Sequence, residues 1–162
     1  MELDTLKDLY VEEIKDLYSA EKQLIRALPK MAKAAKDKHL QQAFRNHLKE
    51  TEQHAARLEQ ICQELGVSPR GKKCVGMEGL IEEGSEMIRE ANADAMDAGL
   101  ISKAQHVEHY EMAGYGTVRT YARQLGYDNQ AELLQQTLNE EGRADHVLTE
   151  LAEAGINMEA EV

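Results

Sequence analysis

The chain has 162 residues, 42% of them hydrophobic and 30% charged, enough for one domain with a substantial core. Its 30 acidic residues outweigh 19 basic ones, for a net charge of −11. That balance argues against nucleic acid and against an anionic membrane surface as partners, because both reward clustered Lys and Arg.

No run approaches the roughly 18–20 apolar residues of a membrane span. Met1-Glu2-Leu3-Asp4 lacks the basic-then-apolar build of a secretory signal, so the cytoplasm is the expected compartment. Cys62 and Cys74 show no CxxC spacing and no disulfide framework. Cys62 reads as filler on an apolar helix face, and a single bridge between the two stays open.

Two prolines and a dominance of Ala, Leu, Glu, Gln, Lys and Met favour helix throughout. The first helix should be capped by Asp4 or Thr5 and run to about residue 36. Its apolar stripe is Leu3, Leu6, Tyr10, Ile14, Leu17, Leu24, Leu28 and Met31, with Glu21 where a Leu is expected. Pro29 inside this pattern predicts a bend. A second helix over about 39–66 carries Leu40, Phe44, His47, Thr51, His54, Leu58, Ile61 and Leu65, and Gly66 ends it. So short a connection makes the first two helices an antiparallel hairpin.

Residues 68–76 are basic and turn-rich, and a short helix over 77–90 follows. Together they form a crossover long enough to carry the chain from one end of a bundle to the other. The third long helix spans about 93–125, with Ala104, Glu108, Glu111, Tyr115, Val118, Ala122 and Leu125 on one stripe. Asp128 or Asn129 should cap the fourth, which carries Leu134, Leu138, Val147 and Leu148 inward and ends near Gly155. A short disordered tail over 157–162 is expected. The pattern is an all-α four-helix bundle, in a single domain over 1–162, with a long crossover containing a short extra helix.

Each of the four long stripes has acidic residues where hydrocarbon belongs. The first helix has Glu21, the second Glu50 with His54, the third Glu108 with Glu111, and the fourth Glu141 with Asp145. Taken singly, each Glu could be a boundary residue leaning to solvent, and His54 could be a packed core histidine. Their coincidence on four helices at matching heights points instead to a shared interior layer. Six carboxylates and an imidazole in a small volume cannot all stay ionised without cations. Two divalent ions would neutralise four of those charges, and a donor set rich in hard oxygen suits iron or manganese better than zinc or copper. This is how bundle cores hold paired metals. His47, one and two turns from the proposed ligands, and Tyr115, one turn after Glu111, are the expected supporting groups. Gly114 and Gly116 suggest close helix approach or a local bulge beside the site.

Three segments carry a family resemblance: Tyr18-Ser19-Ala20-Glu21-Lys22-Gln23-Leu24, Met77-Glu78-Gly79-Leu80-Ile81-Glu82-Glu83 and Glu108-His109-Tyr110-Glu111-Met112-Ala113. They resemble the YciF-type, ferritin-like bacterial stress proteins, and the Glu-His-Tyr-Glu run also resembles the third helix of rubrerythrins. The resemblance implies a ferritin-like bundle with a dimetal site, a cytoplasmic homodimer and a role in stress responses. Carried over position by position, it implies Glu21, Glu50, Glu108, Glu111, Glu141 and Asp145 as ligands; the clustering of carboxylates itself suggests Glu50 and Glu141 as the bridging pair. The chain departs from the pattern at His54, where relatives often have Gln. It also has Ala144 where ferritins and rubrerythrins complete a Glu-x-x-His. The expected function is reaction of the two metals with oxygen or peroxide. The alternative is a non-catalytic stress or interaction protein whose metal site is structural.

Overall fold

The computed structural model describes residues 2–161, leaving Met1 and Val162 outside. Of the two possible first caps, Thr5 is the one used. Its hydroxyl accepts from the Asp8 backbone N–H at 3.1 Å, and the Asp8 carboxylate accepts from the Thr5 N–H at 2.9 Å. This reciprocal box satisfies two of the donors that a helix start leaves unpaired. It opens α1 (Leu6–Ala34), which runs on through Pro29. Thr5→Ala is expected to lower the unfolding free energy by about 1 kcal/mol in urea denaturation.

Asp37 caps α2 (Lys38–Leu65), accepting from the Leu40 N–H at 2.9 Å, and Gly66 ends it at φ 68°, a left-handed conformation suited to glycine. The turn between α1 and α2 is tied to α4 (Met96–Gln124), because the Asp97 carboxylate accepts from the backbone N–H groups of Lys36 and Asp37 at 2.8 and 2.7 Å. Within the crossover, α3 (Val75–Glu90) starts two residues earlier than its apolar pattern suggests, with Cys74 as its cap. It lies against α4 and α1.

Two expectations change at the C-terminal end. Asp128 and Asn129 do not cap α5 (Asp128–Leu151): Asp128 is already helical, and Tyr127 holds the cap position without a side-chain hydrogen bond. The Tyr127 ring packs on Tyr10 at a centroid distance of 5.8 Å, so packing rather than capping sets this start. Nor does the chain fray after Gly155. A wide turn over Ala152–Ile156 buries Ile156 among Leu100, Ile101 and Leu148, and a last helical turn, α6 (Asn157–Glu159), follows. Ile156 supplies the burial that holds this segment. The final residue of the expected tail, Val162, lies outside the described residues.

In the bundle, α1 adjoins α2 and α4, and α5 adjoins the same two helices. One apolar half of the core gathers Leu28 and Ala32 from the end of α1, Leu40 and Phe44 from the start of α2, Leu100 from the start of α4 and Leu148 from the end of α5. The other half gathers Tyr10 and Ile14, Leu58 and Ile61, Val118 and Ala122, and Ala131 and Leu134 from the opposite ends. Every adjacent pair is therefore antiparallel, and the crossover returns the chain along the bundle's length. The two cysteines are free and buried in opposite halves. A Cβ at Gly114 would come 2.8 Å from Leu17 Cδ2, so this glycine lets α1 and α4 approach closely beside the polar layer. Gly116 has no such neighbour, and α4 shows no bulge there. Between the apolar halves lies a buried polar layer of Glu21, His47, Thr51, His54, Glu108, Glu111, Thr137, Glu140 and Glu141.

Candidate metal centre

All four long helices feed this layer. His47 and His54 are seven residues apart, two turns on nearly the same stripe of α2, and their ring centroids stand 6.3 Å apart. Between them Thr51 donates its hydroxyl proton to the His47 carbonyl at 2.8 Å, so it does not compete for the carboxylates. Glu108 and Glu111 enter from α4, Glu21 from α1 and Glu141 from α5. These residues form two groups, His47–Glu108–Glu111–Glu141 and Glu21–His54–Glu141. Within each group one donor atom per residue lies within 4.8 Å of the others, and either group could hold a metal ion. Glu141 belongs to both.

The contacts are close but do not satisfy one another. His47 Nε2 is 2.8 Å from Glu108 Oε1, and His54 Nδ1 is 2.9 Å from Glu141 Oε1. Yet His47 Nε2, His54 Nδ1, Glu21 Oε2, Glu108 Oε2 and both oxygens of Glu111 and Glu141 make no hydrogen bond among the described residues. One donor atom from each residue of a group nevertheless lies within reach of a single ion. A buried polar atom without a partner costs roughly 1–3 kcal/mol, and a buried charge costs more, so an arrangement of eight such atoms fits cations.

The electrostatics follow from the same geometry. Burial pushes the Glu21, Glu108 and Glu111 carboxyls up, the last two well above the usual range. Burial alone would pull both imidazoles down, but the carboxylates beside them win. Glu108 drives His47 well above its ordinary value, and Glu141 with Glu21 raises His54 to about 10. Burial works against an ionised Glu141 too, but the close-lying Glu108, His54, Glu111 and His47 side chains hold it below the usual carboxylate range. Protons thus sit where cations would otherwise balance the charge.

A second set of residues orients the first. His54 Nε2 faces Glu140 Oε2 at 3.2 Å, and Arg57 grips Glu140 through two N–H donors at 2.6 and 2.9 Å. With Nε2 donating to Glu140, the Nδ1 lone pair is turned into the cluster. Arg57 also donates to Thr137 at 2.9 Å and keeps Glu140 below the usual carboxylate range. Tyr115 donates its hydroxyl proton to Glu21 Oε1 at 2.5 Å. Arg57→Ala is expected to weaken metal binding about 10–100-fold in a competitive chelator titration, the usual effect of losing an outer partner.

The structure brings together five of the seven ligand candidates: Glu21, His54, Glu108, Glu111 and Glu141. Tyr115 stands on Glu21, as its spacing suggests. His47, expected only in support, is among the converging donors. Glu50 is not. It lies about 60° around the helix from His47 at ~100° per residue, its side chain is 38% exposed, and it reaches only the outer nitrogen of His47 at 3.4 Å. Asp145 leans toward α4, where it meets the exposed His109 at 3.1 Å. The Glu140–Arg57 pair had only a weak trace in the sequence: Arg57 follows His54 by three positions on one helix face, and Glu140 precedes Glu141. Val147, expected on the apolar face, is 41% exposed.

A four-helix bundle with a long crossover, its core divided by a buried carboxylate–histidine layer, defines the ferritin-like class of helical bundle. Residues 5–161 match the family described as "Domain of unknown function (DUF892)". The chain belongs to that family. It is 47% identical to Protein YciF of Escherichia coli (strain K12) over 163 residues, covering 99% of this chain and 98% of that protein. The crystal structure of the E. coli stress protein YciF superposes with a TM-score of 0.91 at 46% identity, covering 96% of this chain and 99% of that one. YcfI of Rhodopseudomonas palustris, proposed to be a structural protein, gives 0.88 at 39% identity over 91% and 95% of the two chains. A Xanthomonas campestris protein gives 0.76 at 22% identity over 96% of each chain, a likeness of fold alone. Among the described residues no helix is long and apolar enough to cross a membrane.

Proposed function

We propose that this protein holds two divalent metal ions, iron or manganese, in the buried layer and that it reacts there with oxygen or peroxide in a stress response. One observation carries the reading: two donor groups share Glu141 and supply four carboxylates and two imidazoles. Four negative charges would balance two divalent cations, and a carboxylate common to both groups supports their lying side by side. Oxygen donors in excess of two nitrogens favour iron or manganese. When bound, such a pair would supply electrons and Lewis acidity to a small oxidant.

The residues of the chain do the rest. His47 Nε2 and His54 Nδ1 are the nitrogen donors, and Glu140 with Arg57 holds the second ring in place. Tyr115 orients Glu21, Glu111 offers both of its oxygens, and the apolar halves above and below keep bulk water out. Glu141, the carboxylate common to both groups, would serve both ions, while Glu50, expected as a second bridge, stays at the rim. The stress-protein assignment of the E. coli relative supports the physiological setting. The resemblance further supports a cytoplasmic homodimer, which sedimentation velocity would test.

Protein purified after growth with both metals is expected to contain about two metals per chain by plasma mass spectrometry. It should also consume peroxide or oxygen faster than the same metal free in buffer. A chain that takes up no metal overturns the reading. The R. palustris relative, described as a proposed structural protein, favours a second reading, a non-catalytic stress protein; the metals would then only anchor the fold. On that reading metal raises the melting temperature, yet turnover does not exceed that of the free ion.

A further inference from the structure

The two donor groups differ in their access to solvent. Glu21, His54 and Glu141 have fully buried side chains, and Glu111 is 0% exposed. On the side of the Glu21–His54 group, Arg57, Glu140 and Thr137 lie over the imidazole. The only cluster side chains with any exposure are His47 at 7% and Glu108 at 3%. Both line a cleft of about 240 Å³ between α2, α4 and α5. The inner walls are Phe44 and Leu148, and Ala144 puts only a methyl group on the wall one turn beyond Glu141. The outer rim carries Val147, Glu50 and Arg143. His47 Nε2 and Glu108 Oε2, at the inner end, are two of the buried atoms without a hydrogen-bond partner.

Size and charge define what fits. An apolar cavity of about 150 Å³ accepts benzene, so this cleft exceeds anything that oxygen or peroxide alone requires. Two divalent cations would balance Glu21, Glu108, Glu111 and Glu141, and the rim carries one side chain of each sign, Arg143 and Glu50. An anionic head at the inner end would bring an uncompensated charge into a low-dielectric site, whereas a neutral oxygen head would not. We propose that the cleft is a binding site for a small, uncharged, mainly apolar molecule with one hydroxyl head, of phenol size. Its hydroxyl lies against His47 and Glu108 and its body against Phe44 and Leu148. The inference rests on the metal reading for the partner of that hydroxyl, and on the cleft alone for the body.

The probe is 4-fluorophenol, followed by fluorine NMR against protein loaded with Mn(II). Wild type is expected to broaden the probe signal saturably. Val147→Trp, which closes the mouth without touching a donor, should weaken binding by roughly tenfold or more, that is about 1.4 kcal/mol or more, at unchanged manganese content. Gly84→Leu, in the separate groove between α1, α3 and α4, should leave the broadening as in wild type. Absence of saturable broadening, or equal broadening in Val147→Trp, overturns the proposal. Should the protein bind neither manganese nor iron, the metal reading fails instead, and the cleft is read from saturable shift changes in the metal-free chain. There, loss of those shifts in Val147→Trp supports the cleft, and their absence in wild type sinks it.

Discussion

Metal-free Glu111→Leu is expected to melt at a higher temperature than metal-free wild type, and the order is expected to reverse when Mn(II) or Fe(II) is added. Glu111 is fully buried, and neither of its carboxyl oxygens has a hydrogen-bond partner among the described residues. Leaving such a group inside a fold costs about 1–3 kcal/mol, and a leucine of similar volume removes that cost. With metal present the balance changes sign. A ligand at a thousand times its dissociation constant stabilises the native state by about 4 kcal/mol per site. For a chain of this size each kcal/mol moves the melting temperature by roughly 2–4 °C. With two sites filled, wild type should therefore gain roughly 16–32 °C from metal, and Glu111→Leu much less. Calorimetry with and without metal reads both arms. Equal destabilisation of both forms would make Glu111 a packing residue and nothing more.

The same balance has a pH signature. Burial raises Glu21, Glu108 and Glu111, and neighbouring carboxylates raise His47 and His54; Glu141 and the Arg57-bound Glu140 run the other way. Without metal, the folded state binds more protons than the unfolded chain does. That contribution is fully present below the unfolded values and is lost as pH rises toward 10, the value reached by His54. Cations displace those protons, so metal affinity rises with pH. The metal-induced shift in melting temperature should accordingly shrink on acidification.

The second large effect concerns Glu141, the one donor common to both groups. Glu141→Ala is expected to bring metal content from about two per chain to less than one, because either site loses a charged oxygen at once. Glu50→Ala and Asp145→Ala should keep about two, since these side chains lie at the rim and against His109. Metal analysis of the three variants, with circular dichroism to confirm folding, separates the geometry of the layer from its composition. If Glu50→Ala stripped the metals while Glu141→Ala kept them, the sharing of Glu141 would be wrong.

Much of this molecule is legible from local chemistry. The spacing of apolar residues marks four long helices, Thr5 and Gly66 punctuate them, and short connections imply antiparallel neighbours. Glu21, Glu108, Glu111 and Glu141 stand out because each interrupts a stripe that should be hydrocarbon. These signals survive in one dimension because a helix repeats every 3.6 residues whatever it packs against. The repeat locates a face only to within about a residue's rotation, so choices between close neighbours fall to tertiary packing. Glu50 and His47 are about 60° apart on α2, and the rotation of that helix against α5 turns His47 inward and leaves Glu50 at the rim. Across α5, Arg57 draws Glu140 toward α2 through an ion pair, and a hydrogen-bond contact with His109 draws Asp145 toward α4, both between residues far apart in the chain. Packing likewise buries Ile156 and leaves Val147 at the mouth of a cleft. Local spacing shows that acid groups lie inside a helical bundle; which of them come together is settled only by how four helices are rotated and pressed against one another, because the facing of each side chain depends on every neighbour at once.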